Sequence, residues 1–390
     1  MLSPMLTLLI FLAVLSVLVL IHEAGHYLAA RLFGVKADEF GYGLPPRLIG
    51  IVKTGGKWKW VRRNDQKTYQ NTIWSLNWLP IGGFVRIKGE QGEGIHDVDA
   101  FHVKPIWQRI IILAAGVGMN WLLAAVLFSI GLMAGAPAVL EHLPPGAVVE
   151  DRSVTVMEVL PSSPAADAGI RAGDMVVRVG EKEAVSLEQV RAEITAHGTQ
   201  SMPLALERNG EAVSVTVTPR HLEEAGRVAI GIGMVDTGVV RYPFWQAIRG
   251  GAVLTVSYTQ SVVLTFLDLF RELVRGDTNT ASQITGPVGI AVTTGHIAQQ
   301  GFAALLQFTA ILSINLAVVN FLPIPALDGG RALFLVVEAL RKKAMNRGTE
   351  ALVHNISFLI LVGLILLITV RDLGRYGGMI LGGLRGMIGL

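Results

Sequence analysis

Residues 1–21 carry no charge. At about 1.5 Å of rise per helical residue, such a run nearly crosses a hydrocarbon core of about 30 Å. It passes without a break into His22-Glu23-Ala24-Gly25-His26. A cleaved signal peptide is the competing reading. Against it, no Lys or Arg precedes the run and no small-residue cleavage site follows it. Cleavage there would also part the histidine motif from its membrane segment.

Three further apolar segments fit spans: 110–134, which contains Gly116, Gly118 and Asn120, then 302–324 and 356–370. Small and polar residues in a span suit close helix packing. Charged residues make up 16% of the chain, against about 25% in soluble domains, and the mean hydropathy is +0.51. Cysteine is absent, so disulfides and thiolate metal sites are excluded. A transition-metal site here must use His and carboxylates. Nothing resembles a nucleic-acid-binding module.

Lys and Arg near span ends set orientation. Residues 36–109 and 331–347 are rich in both and are expected on the cytoplasmic side, with the N-terminus and 135–300 outside. Arg371, Arg375 and Arg385 fit this poorly, and the tail reads as an interfacial segment. Residues 250–267 are uncharged but have a polar centre, Ser257-Tyr258-Thr259-Gln260-Ser261. A fifth span here would place the second basic cluster outside, so the segment reads as an amphipathic helix on the outer surface. Segment 51–70, with Trp58, Trp60 and several basic residues, suits an anionic lipid surface or a solvated loop equally well.

A soluble module lies between the second and third spans. Residues 154–159 alternate like a strand and are stopped by Pro161-Ser162-Ser163-Pro164. Residues 169–174 form a turn, 175–179 a strand and 187–196 an amphipathic helix. Residues 202–208 and 212–218 form a hairpin about Asn209-Gly210.

His22 and His26 are four apart, so on a helix both imidazoles reach one ion. Glu23 lies beside them, placed to face a water. The bare pattern also arises by chance. Here, however, it continues a charge-free span, where ionisable groups are costly unless partnered. A cation shared by two His and a carboxylate is such a partner. Catalytic zinc uses three protein ligands and leaves the fourth place to water. Asp328 is the candidate third ligand, being the only acidic residue between Asp277 and Glu338. It closes Asn320-Phe321-Leu322-Pro323-Ile324-Pro325-Ala326-Leu327-Asp328, ahead of Gly329-Gly330. The prolines interrupt the helix and the glycines allow a sharp turn. An ordinary loop Asp is the alternative. The charge rule puts the His22/His26 end of span one and the Asp328 end of span three on one side, so the ligands can meet at one depth.

Taken together, these motifs resemble the bacterial site-2 protease family, of the regulator-of-sigma-E type, over almost the whole chain. The carriers are His22 to His26, the motif at 320–330, Pro80-Ile81-Gly82-Gly83-Phe84-Val85-Arg86 as the family's membrane-dipping loop, Ala115-Gly116-Val117-Gly118-Met119-Asn120, and Gly286-Pro287-Val288-Gly289-Ile290. The module resembles a permuted bacterial PDZ domain through Ser163-Pro164-Ala165-Ala166 and Ala168-Gly169-Ile170-Arg171-Ala172-Gly173-Asp174. Val117 departs from the family's usual proline. One module stands where the best-known members carry two.

The resemblance implies an α-helical polytopic membrane protein with about four transmembrane helices, a membrane-associated β-loop and one inserted α+β PDZ-like domain. The parts are 1–150, 151–236 and 237–390. It implies a zinc metalloendopeptidase of regulated intramembrane proteolysis, with Zn2+ on His22, His26 and Asp328 and Glu23 as general base. Asn320 and Pro325 contact substrate, Gly82 and Gly83 offer an edge for strand addition, and Ile230-Gly231-Ile232-Gly233 forms the peptide groove of the module. Expected partners are the lipid bilayer and single-span membrane proteins, such as an anti-sigma factor or a remnant signal peptide. A peptide ligand of the module is also expected, which would recruit substrates or filter them by size. The expected location is the bacterial inner membrane, with the module outside and the active site toward the cytoplasm. The other histidines lack metal spacing and read as structural. Two alternatives compete: a non-proteolytic membrane-anchored PDZ adaptor with a structural zinc site, and a metal transporter. The first would need a fourth protein ligand. The second would need ionisable residues along several spans, and spans two and four have neither an acidic residue nor a His.

Overall fold

The computed structural model describes residues 3–63, 65, 67–90, 97–140, 146–208, 210–222, 227–275, 285–343 and 347–388. Two compact units are present: Met1–Ser129 with Ile248–Leu390, and Ile130–Ala247.

The first unit opens with α1 (Pro4–Leu32). Ser3 caps it by accepting the Leu6 N–H at 3.2 Å, with Pro4 at the first helical position. Then come β1 (Ala37–Thr54), β2 (Lys57–Arg62) and β3 (Ile73–Ile87), an antiparallel sheet in the order β2-β1-β3. β3 folds back on itself, so that Phe40 of β1 faces both Val85 and Trp74. Val52, Val61 and Ile73 form the buried side of this sheet, with Tyr69 packed against them. α2 (Ile106–Ala134) follows.

The second unit contains β4 (Ala136–Val139), β5 (Val148–Val159), α3 (Pro164–Asp167), β6 (Met175–Val179), β7 (Lys182–Glu183) and α4 (Leu187–Ala196). It continues with β8 (Met202–Arg208), β9 (Glu211–Val217), β10 (Arg220–Leu222), β11 (Arg227–Ala229) and β12 (Ile232–Arg241). The main sheet runs β4-β12-β5-β6-β8-β9, with β7 on β6. Its core includes Val154, Val156, Val190, Leu204 and Leu206. The strand at 175–179 and the helix at 187–196 fall at the bounds read from periodicity. In the hairpin turn, Asn209 lies outside the described residues. Asp174, with a side chain 1% exposed, receives Arg208 at 2.7 Å and the Arg171 N–H at 2.8 Å.

The chain then forms α5 (Phe244–Arg275), α6 (Pro287–Gln299), α7 (Phe302–Phe321), α8 (Asp328–Arg341) and α9 (Arg347–Ile388). By length and composition five helices can cross a membrane: α1, α2, α7, and the stretches Phe244–Glu272 of α5 and Gly348–Gly378 of α9. That is one more candidate than the four spans read from the sequence, the extra one being α5, which was read as an amphipathic surface helix. In and beside its polar centre, three hydroxyls bond back to the helix's own backbone. Thr255, Thr259 and Ser261 donate to the carbonyls of Gly251, Thr255 and Ser257, at 2.8, 2.6 and 3.1 Å. Hydroxyls satisfied four residues back lose most of their cost in lipid. α9 also carries the helix through Arg371 and Arg375 without a break. Where α2 crosses α7, Ala124 and Phe128 pack with Ala310 and Ile314, and the Ser313 hydroxyl donates to the Asn120 carbonyl at 2.7 Å.

Candidate active site

Helical spacing brings His22 and His26 to one face of α1, and both are buried. The surface they face is α2, which comes close because glycine removes the obstacles. A Cβ on Gly25 would collide with the Ala115 carbonyl, and one on Gly116 would lie 2.5 Å from His26 Nε2 and 2.8 Å from His22 Cε1. The imidazoles therefore rest on the bare backbone of Gly116.

Asp328 arrives from the other side of the sequence, in the first turn of α8. The α7–α8 connection is tight. A Cβ on Gly329 or Gly330 would run into the carbonyls of Phe321 and Leu322, or of Ile324. α8 is fastened along its length by ion pairs Arg331–Glu90 and Arg109–Glu338, the second at 2.8 Å.

The three candidate ligands meet. Asp328 Oδ2 lies 3.0 Å from His22 Nε2 and 3.3 Å from His26 Nε2, and the two Nε2 atoms are 3.2 Å apart. Among the described residues these three form a group able to hold a metal. The spacing fits zinc: bonds of about 2.0–2.1 Å in a tetrahedron set ligand atoms about 3.3 Å apart. The outer hydrogen bonds fit as well. His26 Nδ1–H donates to the Ile112 carbonyl at 2.8 Å, which leaves Nε2 with a free lone pair. Nδ1 of His22 faces the Asn120 amide, with Nδ2 at 3.3 Å, while Asn120 Oδ1 is buried without a partner. An imidazole that gives Nε2 to a metal carries its proton on Nδ1. Turning the Asn120 amide over sets Oδ1 on that proton as its acceptor.

Glu23 is held by the sheet: its Oε2 accepts the Val85 N–H of β3 at 2.9 Å. The Gly82–Gly83 pair of the same strand lies against α1 one turn earlier, beside Val19 and Leu20. Asn320 reaches the centre, its Nδ2 being 3.3 Å from His22 Nε2. Pro325 lies in the α7–α8 connection, and its carbonyl accepts His354 Nδ1–H at 2.7 Å. Residues 230–233 lie in the second unit. The carbonyls of Ile230 and Gly231 accept the Ala165 and Leu160 N–H groups, both at 2.9 Å, and Ile232 and Gly233 pair with Val159 and Glu158 of β5.

Three participants escaped the sequence reading. Asn120 was noted as a polar residue suited to packing and as the end of the 115–120 motif, with no role at the metal, although polarity inside a span was a signal of function. His354 was set aside for lack of metal spacing, which is no guide to a backbone partner. Val85 acts through its amide, and no side-chain pattern reports that. Of the histidines read as structural, His102 and His197 bond to the Gly89 and Glu193 carbonyls at 3.0 and 2.9 Å. His96 and His142 lie outside the described residues.

The chain matches the model of peptidase family M50 over residues 10–62 and 65–364. A Clostridium perfringens protein is 32% identical across 92% of this chain and 96% of its own length. The zinc metalloprotease RasP of Geobacillus kaustophilus is 29% identical across 94% of this chain and 97% of its own. The regulator of sigma-W protease RasP of Bacillus subtilis is 28% identical, with 95% and 98% covered. Among solved structures, the PDZ domain of an SdrC-like protein from Listeria monocytogenes aligns with 22% of this chain and 92% of that one, at 20% identity and a TM-score of 0.21.

Proposed function

The chain belongs to peptidase family M50 and is a zinc metalloprotease of the site-2 type, and from that premise we propose that it cuts single-span membrane proteins at a site formed by His22, His26, Asp328 and Glu23. The convergence of three ligand atoms to 3.0–3.3 Å carries this reading. His22, His26 and Asp328 hold the zinc. Bound there, zinc lowers the pKa of a water from about 16 to about 7 and polarises a carbonyl. Glu23 takes a proton from the attacking water and delivers one to the leaving amine. The Val85 N–H keeps the Glu23 carboxylate turned into the site.

A substrate helix must unwind before it is cut, and its freed amides then need partners in a dry medium. The strand around Gly82 and Gly83 offers an edge for the extended chain, and the Asn320 amide and the Pro325 turn grip it. Residues 1–150 and 237–390 form the catalytic membrane part. Residues 151–236 are a PDZ-like module with 230–233 in its peptide groove. The active site faces the cytoplasmic side and the module lies outside. An anti-sigma factor and a remnant signal peptide are substrates of the required form.

The test is co-expression with tagged single-span candidates. Wild type should cleave, whereas Glu23→Gln and Asp328→Asn should accumulate precursor, with Glu23→Gln still holding zinc. Loss of the general base predicts a rate fall of about 10²–10⁴. Normal cleavage by Glu23→Gln would remove Glu23 from this role.

A further inference from the structure

α9 grips its neighbours with two polar side chains that stand on one face. His354 Nδ1–H donates to the Pro325 carbonyl at 2.7 Å. Asp372 Oδ2 accepts the Gly289 N–H of α6 at 2.8 Å. The two residues are 18 apart on one unbroken helix. That is five turns of about 3.6 residues, so they share a face and lie about 27 Å apart along the axis. Between them, no residue from 355 to 371 is buried, whereas Asp372 is 2% exposed. Apolar helices gain little from meeting one another in lipid, so polar contacts and close approach set where they sit.

At the Asp372 end the grip is a helix cap. Gly286 and Pro287 open α6 without a capping side chain of their own, and the Asp372 carboxylate supplies one from another helix. The approach is close: a Cβ on Gly286 would lie 2.5 Å from Ile368 Cγ2 and 2.8 Å from Asp372 Oδ2. A carboxylate in a span is costly unless partnered, which fixes this point of α9. At the His354 end the grip falls on a connection poor in bonds of its own. Pro323 and Pro325 have no N–H to donate. Ile324 and Leu327 donate to the carbonyls of Leu322 and Ile324, at 2.7 and 2.8 Å, and His354 takes the Pro325 carbonyl between them and the metal ligand. α8 is fastened separately through Arg331–Glu90 and Arg109–Glu338, so Asp328 keeps its place without His354. We propose, resting on the reading of the Pro325 turn as a substrate grip, that His354 is a positioning residue for substrate. Held in place through α9 by Asp372, it fixes the turn in the form that receives the unwound chain.

Hydrogen exchange on the full chain in lipid nanodiscs reads the turn without any substrate. In His354→Leu the Ile324 and Leu327 amides should exchange about 5–150-fold faster, the loss of one partner for a shielded carbonyl. Amides of α8 and zinc affinity should stay as in wild type. With a fluorogenic single-span peptide from an anti-sigma factor as probe, KM should rise by a similar factor at unchanged kcat, because the turn must be reordered whenever the probe binds. His354→Asn, whose amide nitrogen stands where Nδ1 stood, should restore both readings. Asp372→Leu should speed exchange in the turn of the otherwise wild-type chain and add nothing in His354→Leu, whereas Asp372→Asn keeps an acceptor and should change little. Unchanged exchange at Ile324 and Leu327 in His354→Leu overturns the proposal. So does a fall in zinc affinity as large as the gain in exchange, which would make His354 a support of the metal site. Additive effects of the two Leu substitutions remove Asp372 from the arrangement. Faster exchange with KM unchanged ends the role in substrate binding, and the grip reading itself falls only if Asn320→Ala also leaves KM unchanged.

Discussion

Substituting Gly116→Ala tests the site without replacing any proposed ligand. The added methyl would lie 2.5 Å from His26 Nε2 and 2.7 Å from its Cε1. Ordinary contact needs about 3.5 Å, so ring or helix must yield by about 1 Å. A metal centre tolerates about 0.2 Å. Overpacking of this kind costs about 1–3 kcal/mol, and if it falls on the loaded state, zinc affinity drops by a factor of about 5–150. Gly118→Ala is the matched control, since a Cβ there meets nothing within 4 Å. Both substitutions raise helix propensity in α2 by about 1 kcal/mol, so the comparison cancels that gain. The assay is zinc titration of purified protein against a competing chelator, with cleavage of a single-span substrate in parallel. Equal zinc affinity in the two variants would refute the idea that the imidazoles rest on Gly116.

Asn120→Leu should lower zinc affinity by about 10–100-fold by removing the partner of His22 Nδ1, and Asn120→Asp, which keeps an acceptor, should retain it; the same titration checks both. Arg208→Leu should destabilise the second unit by about 3–5 kcal/mol, because it strands the buried Asp174 carboxylate, and hydrogen exchange in β6 and β8 reads the loss. Arg208 beside Asp174 holds its carboxyl below the ordinary range, helped by the Arg171 N–H. With the folded value lowered, the unfolded chain binds more protons, so this stability is present above about pH 4 and is lost as pH falls through the lowered value. Acid protection of β6 in wild type should therefore decline below that point, with a flatter profile in Asp174→Asn.

Side chains that act through spacing on one helix were legible from the sequence. His22 and His26 needed only the four-residue interval, and Asp328 was singled out by the lack of other acids nearby and by the prolines before it. The helix at 187–196 was legible because its apolar period is unbroken, and in the structure Ser186 caps it. What failed were the pairings that fold distant chain together. Phe40 meets both Trp74 and Val85, and nothing in 37–87 announced a sheet that doubles over one strand. α5 has the length and composition of a span as well as the polar centre read from the sequence. Asn120, Val85 and His354 meet their partners across 98, 62 and 29 residues. Such contacts exist only once the helices and the sheet have packed.

The central claim is that His22, His26 and Asp328 share one ion. An experimental map of the purified chain, with anomalous difference density recorded at the zinc edge, tests it most directly. A single peak about 2.0–2.2 Å from His22 Nε2, His26 Nε2 and an Asp328 carboxylate oxygen is the expected result. A peak that Asp328 does not touch, or density at another group with this one unliganded, would contradict the account.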